Sequence, residues 1–206
     1  MRAVNTLPEN YRPVVAIDLA KDRRMLLWMN LAAVIAWFLS AWLFLLAAHR
    51  LRPGGTAVSL RLPEAGISSI PSVVLGLLLI FALMIVLHEG AHGLIFWMFT
   101  RSRPVFALRG YYAYAAAPGW YLLRDQYLVV ALAPLLLLDA AALGALLFVP
   151  PGWIPPLLVF TASNTAGSLA DIYVAARVTL HPRQALVHDE GDRFTLYLPV
   201  GSAGDT

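Results

Sequence analysis

The chain has 206 residues, 60% hydrophobic and 13% charged, with a mean hydropathy of +0.70, a composition that excludes an ordinary soluble globular domain and points to a membrane. It has no cysteine, which excludes disulfides, thiolate metal sites and thiol nucleophiles and leaves imidazole and carboxylate to hold any metal. The net charge of +3 and pI near 9.4 do not argue for nucleic acid, because the basic residues flank apolar runs and form no stripe of their own.

Residues 1–24 are polar and mixed, and the apolar run after them is too long for the core of a cleavable signal peptide, so it reads as a true span. Crossing the hydrocarbon core takes roughly 20 apolar residues in a helix. Four segments qualify, at about 25–48, 71–100, 127–149 and 153–178. Between the second and third, "PVFALRGYYAYAAAPGWYLL" (104–123) is rich in aromatic and β-branched residues around Gly110 and Pro118-Gly119, the pattern of a short hairpin lying against the membrane. "VPPGWIPP" (149–156) reads as a tight turn with Trp153 at the interface. In the tail, 179–206, "ALVHDEGDRFTLYLP" has a polar turn between two strand-like runs and predicts a second hairpin. No linker divides the chain, so 1–206 is expected to form one domain. The expected fold class is an all-α integral membrane protein, a four-transmembrane-helix bundle with short cytoplasmic hairpins.

Positive residues orient such a bundle. Arg2, Arg12, Lys21, Arg23 and Arg24 precede the first span, Arg101, Arg103, Arg109 and Arg124 lie between the second and third, and Arg177, Arg183 and Arg193 follow the fourth. Only Arg50, Arg52 and Arg61 fall on the opposite side. The expected location is therefore the cell (inner) membrane, multi-pass, with both termini cytoplasmic.

The second span carries His88-Glu89-Gly90-Ala91-His92, an H-E-x-x-H pattern in a segment that otherwise reads as lipid-facing. Residues four apart stand above one another on a helix, so both imidazoles can each give a nitrogen to one Zn2+ at about 2.1 Å. Glu89, about 100° further round, reaches a water on the metal without being a ligand, the general-base position. Gly90, Ala91 and Gly93 keep the helix slim for a close neighbour. Ionisable residues inside a membrane each cost about 2.5 to 3.5 kcal/mol on insertion scales, so three in one turn call for a metal or for partners that neutralise them.

A catalytic zinc site usually has three protein ligands. The last span offers "TASNTAGSLADIYVA", with Asn164, Ser168 and Asp171 on one helical face. Asp171 is the favoured third ligand and Asp139 in the third span is its rival at similar depth. His181 and His188 read as solvated tail residues, and His49 as a boundary residue.

HEGAH in an apolar helix, followed two spans later by an Asn and an Asp seven apart, resembles the site-2 protease class of intramembrane metalloproteases. The chain as a whole resembles the small bacterial multi-pass proteins grouped as zincin peptidases of unknown function. The resemblance implies that His88, His92 and Asp171 hold zinc, that Glu89 activates water, and that Asn164 helps bind substrate or its oxyanion. The site-2 pattern has glycine after its aspartate and usually proline between Asn and Asp; this chain has Ile172 and "TAGSLA" there.

The expected function is a zinc-dependent intramembrane or juxtamembrane peptidase acting on a membrane-protein or membrane-peptide substrate, within the lipid bilayer and without nucleic acid. A substrate helix hides its carbonyls in its own hydrogen bonds, so the piece around Tyr111, Tyr112 and Tyr114 is a candidate to hold the unwound segment by strand addition. The alternative is a non-catalytic adaptor that keeps a structural metal site. A metal carrier would show several such clusters along a path, and imidazoles four apart on one helix cannot sandwich haem.

Overall fold

The computed structural model describes residues 3–18, 23–52, 70–109, 112–191 and 193–201. In chain order they form β1 (Tyr11–Asp18), α1 (Arg23–Leu51), α2 (Ile70–Thr100), β2 (Val105–Arg109), β3 (Tyr112–Ala116), β4 (Tyr121–Leu123), α3 (Arg124–Ala145), a 3-10 turn (Pro151–Trp153), α4 (Ile154–Gly167), α5 (Leu169–Thr179), β5 (Leu186–Asp189) and β6 (Arg193–Pro199).

Three of these helices, α1, α2 and α3, are long and apolar enough to cross a membrane. Only 6% of the most apolar window of α2 is buried within the protein, so its outer face, with Leu78, Leu79 and Val86, suits lipid as its solvent. At 31 residues, α2 is about 46 Å long and outruns the hydrocarbon core. α3 starts at Arg124, where the Gln126 side chain accepts from the Leu123 backbone N–H at 3.1 Å and closes the first turn. The turn expected at 149–156 is present, and the Arg52 guanidinium at the end of α1 donates to the Val149 carbonyl there.

The fourth predicted span does not form one helix. It breaks at Ser168, where the hydroxyl and the backbone N–H both bond the Asn164 carbonyl at 2.9 Å; a serine hydroxyl bonded back one turn loosens the helical ladder. β4, which leads into α3, pairs with β5, which follows α5, so α4 and α5 together return along α3 to the end from which it started.

The all-α expectation is also corrected. Both hairpins form, β2 with β3 and β5 with β6, but the tail hairpin is the middle of a four-stranded antiparallel sheet ordered β1-β6-β5-β4. β1, in the segment read only as polar and mixed, runs along β6 from Tyr11↔Pro199 to Asp18↔Arg193. The sheet gathers the two terminal regions and the α2–α3 connection at one end of the helices. Arg2, Lys21, Arg61, Gly110, Tyr111 and Asp192 lie outside the described residues.

The main core joins that sheet to α2, α3 and α5 through Phe96, Leu122, Val130, Val178, Val187 and Leu196. A second cluster at the other end packs Phe44 and Ala48 of α1 on Leu146 and Ile154. His188 is not a solvated tail residue: its ring stacks on Tyr121 at 4.7 Å, because strand pairing sets β4 and β5 side by side with Tyr121 opposite His188.

Candidate metal centre

α2 presents His88 and His92 on its protein-facing side, 7% and 8% exposed, with Glu89 half-buried beside them. α5 restarts after Ser168 and so carries Asp171 in its first turn, where a carboxylate suits the positive end of the helix dipole. The Asp171 carboxylate lies between the two rings, Oδ2 at 3.3 Å from His88 Nε2 and Oδ1 at 3.5 Å from His92 Nε2. One ligand atom from each of His88, His92 and Asp171 falls within 4.8 Å of the others. Asp139, the rival, is outside this group: its carboxylate accepts from Asn164 Nδ2 at 2.9 Å and from the Thr165 hydroxyl at 2.8 Å.

The tautomers follow from the acceptors. Asn164 is fully buried and its Nδ2 donates to the Pro134 carbonyl at 3.2 Å and to Asp139. Both of those partners are acceptors, which fixes the amide so that Oδ1 faces His88 Nδ1 at 3.0 Å, and the imidazole must donate. His92 Nδ1 stands 2.9 Å from the Val130 carbonyl, so it also donates. With Nδ1 of each ring donating elsewhere, both Nε2 atoms are turned to the Asp171 carboxylate. In the neutral tautomer each presents a lone pair there, the orientation in which an outer hydrogen bond sets a histidine for a metal.

A zinc ion fits. The donors are nitrogen and carboxylate oxygen, as a cysteine-free site requires, and one ligand atom from each residue lies close enough to the others for a single ion to be shared. Three protein donors leave one position for water or substrate.

The cluster opens into a cavity of about 490 Å³. Its walls include Asn30 and Ala33 of α1, Ala113 and Ala115 of β3, Tyr127 of α3 and Asp189 of β5. β3 brings the Ala115 backbone amide to the Glu89 carboxyl. Gly93 leaves room for the Phe106 ring of β2, which lies 2.4 Å from where a Cβ would stand, whereas Gly90 faces open space. Of the two glycines, Gly93 is the one that a close approach requires.

Tyr127 and Asp189 escaped the sequence reading. The Tyr127 hydroxyl donates to Asp189 Oδ2 at 2.7 Å, and the Gly191 N–H to Oδ1 at 2.7 Å. Asp189 is one of several acidic residues in a polar turn, and nothing in the local pattern marks it as the one folded back onto the helices. Val130 supplies a backbone carbonyl, which side-chain chemistry cannot signal.

Two imidazoles and a carboxylate held by apolar helices, with a glutamate alongside, make up a candidate metal centre of the zincin kind at one end of a helical bundle. Residues 81–186, just over half of the chain and running from within α2 to the start of β5, match the family described as "Putative zincin peptidase", and the chain belongs to that family. No curated protein and no solved structure matches it.

Proposed function

We propose that this protein is a zinc-dependent peptidase that cleaves membrane-embedded or membrane-adjacent segments of other proteins. The observation that carries the proposal is the convergence of two Nε2 atoms and the Asp171 carboxylate beside Glu89, at the wall of a cavity bordered by apolar helices. Family membership supports the metallopeptidase part of the reading; the membrane setting rests on the three apolar helices.

His88, His92 and Asp171 would hold the ion. Bound zinc supplies Lewis acidity, polarising a peptide carbonyl and acidifying water. Glu89 takes a proton from the attacking water and returns it to the leaving amine. Its half-buried place suits a base that must meet water yet stay out of bulk solvent. The Asn164 amide protons are committed to Pro134 and Asp139, so Asn164 serves by holding His88 in its Nδ1–H tautomer rather than by donating to an oxyanion. β3 pairs only with β2 among the described residues. An unwound substrate segment can therefore add along its other edge, beside Glu89, by main-chain hydrogen bonds.

In this reading α4 and α5 cross the bilayer as one broken span, which puts both termini on one side, and the basic residues there make it the cytoplasmic one. The break lies where it lines a cavity, the place membrane proteins tolerate one. The test is purified full-length protein assayed for zinc content and for cleavage of a membrane-anchored peptide library. Glu89→Gln should keep its zinc and lose cleavage by at least about 100-fold, the contribution expected of a general base. Unchanged cleavage removes Glu89 as the base, and zinc without any cleavage in the wild type favours the adaptor.

A further inference from the structure

The middle of α3 contains Pro134, one helical turn after Val130. In an unbroken helix the N–H of residue 134 would bond the carbonyl of residue 130. Proline has no N–H, and its ring pushes that carbonyl out of the ladder. A carbonyl orphaned in an apolar interior is costly until it finds a donor. Here the donor is His92, whose Nδ1–H reaches the Val130 oxygen at 2.9 Å. The same turn serves the other ring: the Pro134 carbonyl accepts from Asn164 Nδ2 at 3.2 Å, and Asn164 Oδ1 accepts from His88 Nδ1. Pro134 is among the fully buried side chains and Val130 is buried as well, so the proline is not a kink presented to lipid.

We infer that Pro134 is a positioning residue for the metal centre: its ring turns the Val130 carbonyl out of the helical ladder and toward α2, and that carbonyl fixes His92 with Nε2 turned to the metal. The inference rests on the metal-centre reading above. It adds a residue that contacts no metal, substrate or reacting atom.

Pro134→Ala restores the N–H. The Val130 carbonyl then turns back along the helix axis, away from His92 Nδ1. The ring is then free to carry its proton on Nε2, where the proton occupies the lone pair needed for zinc. Loss of such an outer partner typically weakens metal binding 10- to 100-fold. The helix itself improves, because a mid-helix proline is replaced by the best helix former. Metal affinity and metal-free heat stability should therefore move in opposite directions, which a residue with a merely structural role would not produce.

The experiment titrates Zn2+ alone, against a competing chelator, into full-length wild type and Pro134→Ala in detergent, and melts both proteins metal-free. The expected result is a 10- to 100-fold higher zinc Kd for the variant with equal or greater heat stability. Equal affinities contradict the inference and leave the metal centre standing; a variant weakened in both measurements also contradicts it. A wild type that binds no zinc removes the centre and the inference together. Should the variant fail to fold, 15N-histidine NMR of zinc-loaded wild type decides: a protonated Nδ1 on His92 is expected, and zinc on Nδ1 overturns the inference.

Discussion

Glycines 90 and 93 lie within one turn of α2 and behave oppositely. At Gly93 any side chain meets the Phe106 ring, so Gly93→Val must displace the β2–β3 hairpin from the helix. Overpacking of this kind costs about 1–3 kcal/mol, measurable as a lower unfolding midpoint in detergent. Gly90→Ala meets nothing, removes a helix-weakening residue and should gain up to about 1 kcal/mol. Asp189 carries a pH signature. Burial pushes its carboxyl above the ordinary carboxylate range, and the Tyr127 hydroxyl and Gly191 amide pull it partly back. An acid whose folded pKa is raised binds its proton more tightly when folded. Its contribution to stability is therefore complete below the unfolded value and is lost as pH rises through the folded one. Asp189→Asn, which has no charge to bury, should gain on the wild type between pH 4 and pH 7, as read from thermal melts at both. A difference that stays constant with pH contradicts this.

Each element places its chemistry by a local cause. Helical spacing alone puts His88 above His92, which is why the motif was legible from sequence. Asp171 was legible as a polar residue on an apolar face, although the restart of α5 after Ser168 was not, because a continuous apolar run hides a break that only hydrogen bonding reveals. Both hairpins could be read from their turn residues. Their destinations could not: β1 joins β6 across most of the chain's length, and pairing at such separation leaves no local trace in either strand. The tail turn shows how tight the resulting junction is. Gly191 has φ +93 and lies against the Tyr114 ring, 2.1 Å from where a Cβ would stand. Gly191→Val combines backbone strain of about 1–3 kcal/mol with that overlap, and should lower the melting temperature more than Gly152→Val, where nothing lies within 4 Å.

At the scale of the whole molecule, a sheet caps one end of an apolar bundle, and the His88, His92 and Asp171 cluster lies just beneath the cap. Under the proposed function that position reconciles two demands: a peptide bond presented from a membrane and a water to cut it. The proposed four-span path also makes a prediction about sidedness. Strands β1 and β6 pair, so Asn10 and Val200 lie at the same end, away from Gly152 in the turn between α3 and α4. The chain has no cysteine, so single cysteines at these positions report cleanly in sealed vesicles. Those at 10 and 200 should react with an impermeant reagent from one side and that at 152 from the other.

The central claim is that His88, His92 and Asp171 grip one zinc ion. X-ray absorption at the zinc edge of the loaded, full-length protein tests it most directly. Two imidazole nitrogens with oxygen completing the shell, falling to one imidazole in His92→Ala, is the result predicted. A shell of oxygen alone, or one unchanged by that substitution, would contradict it.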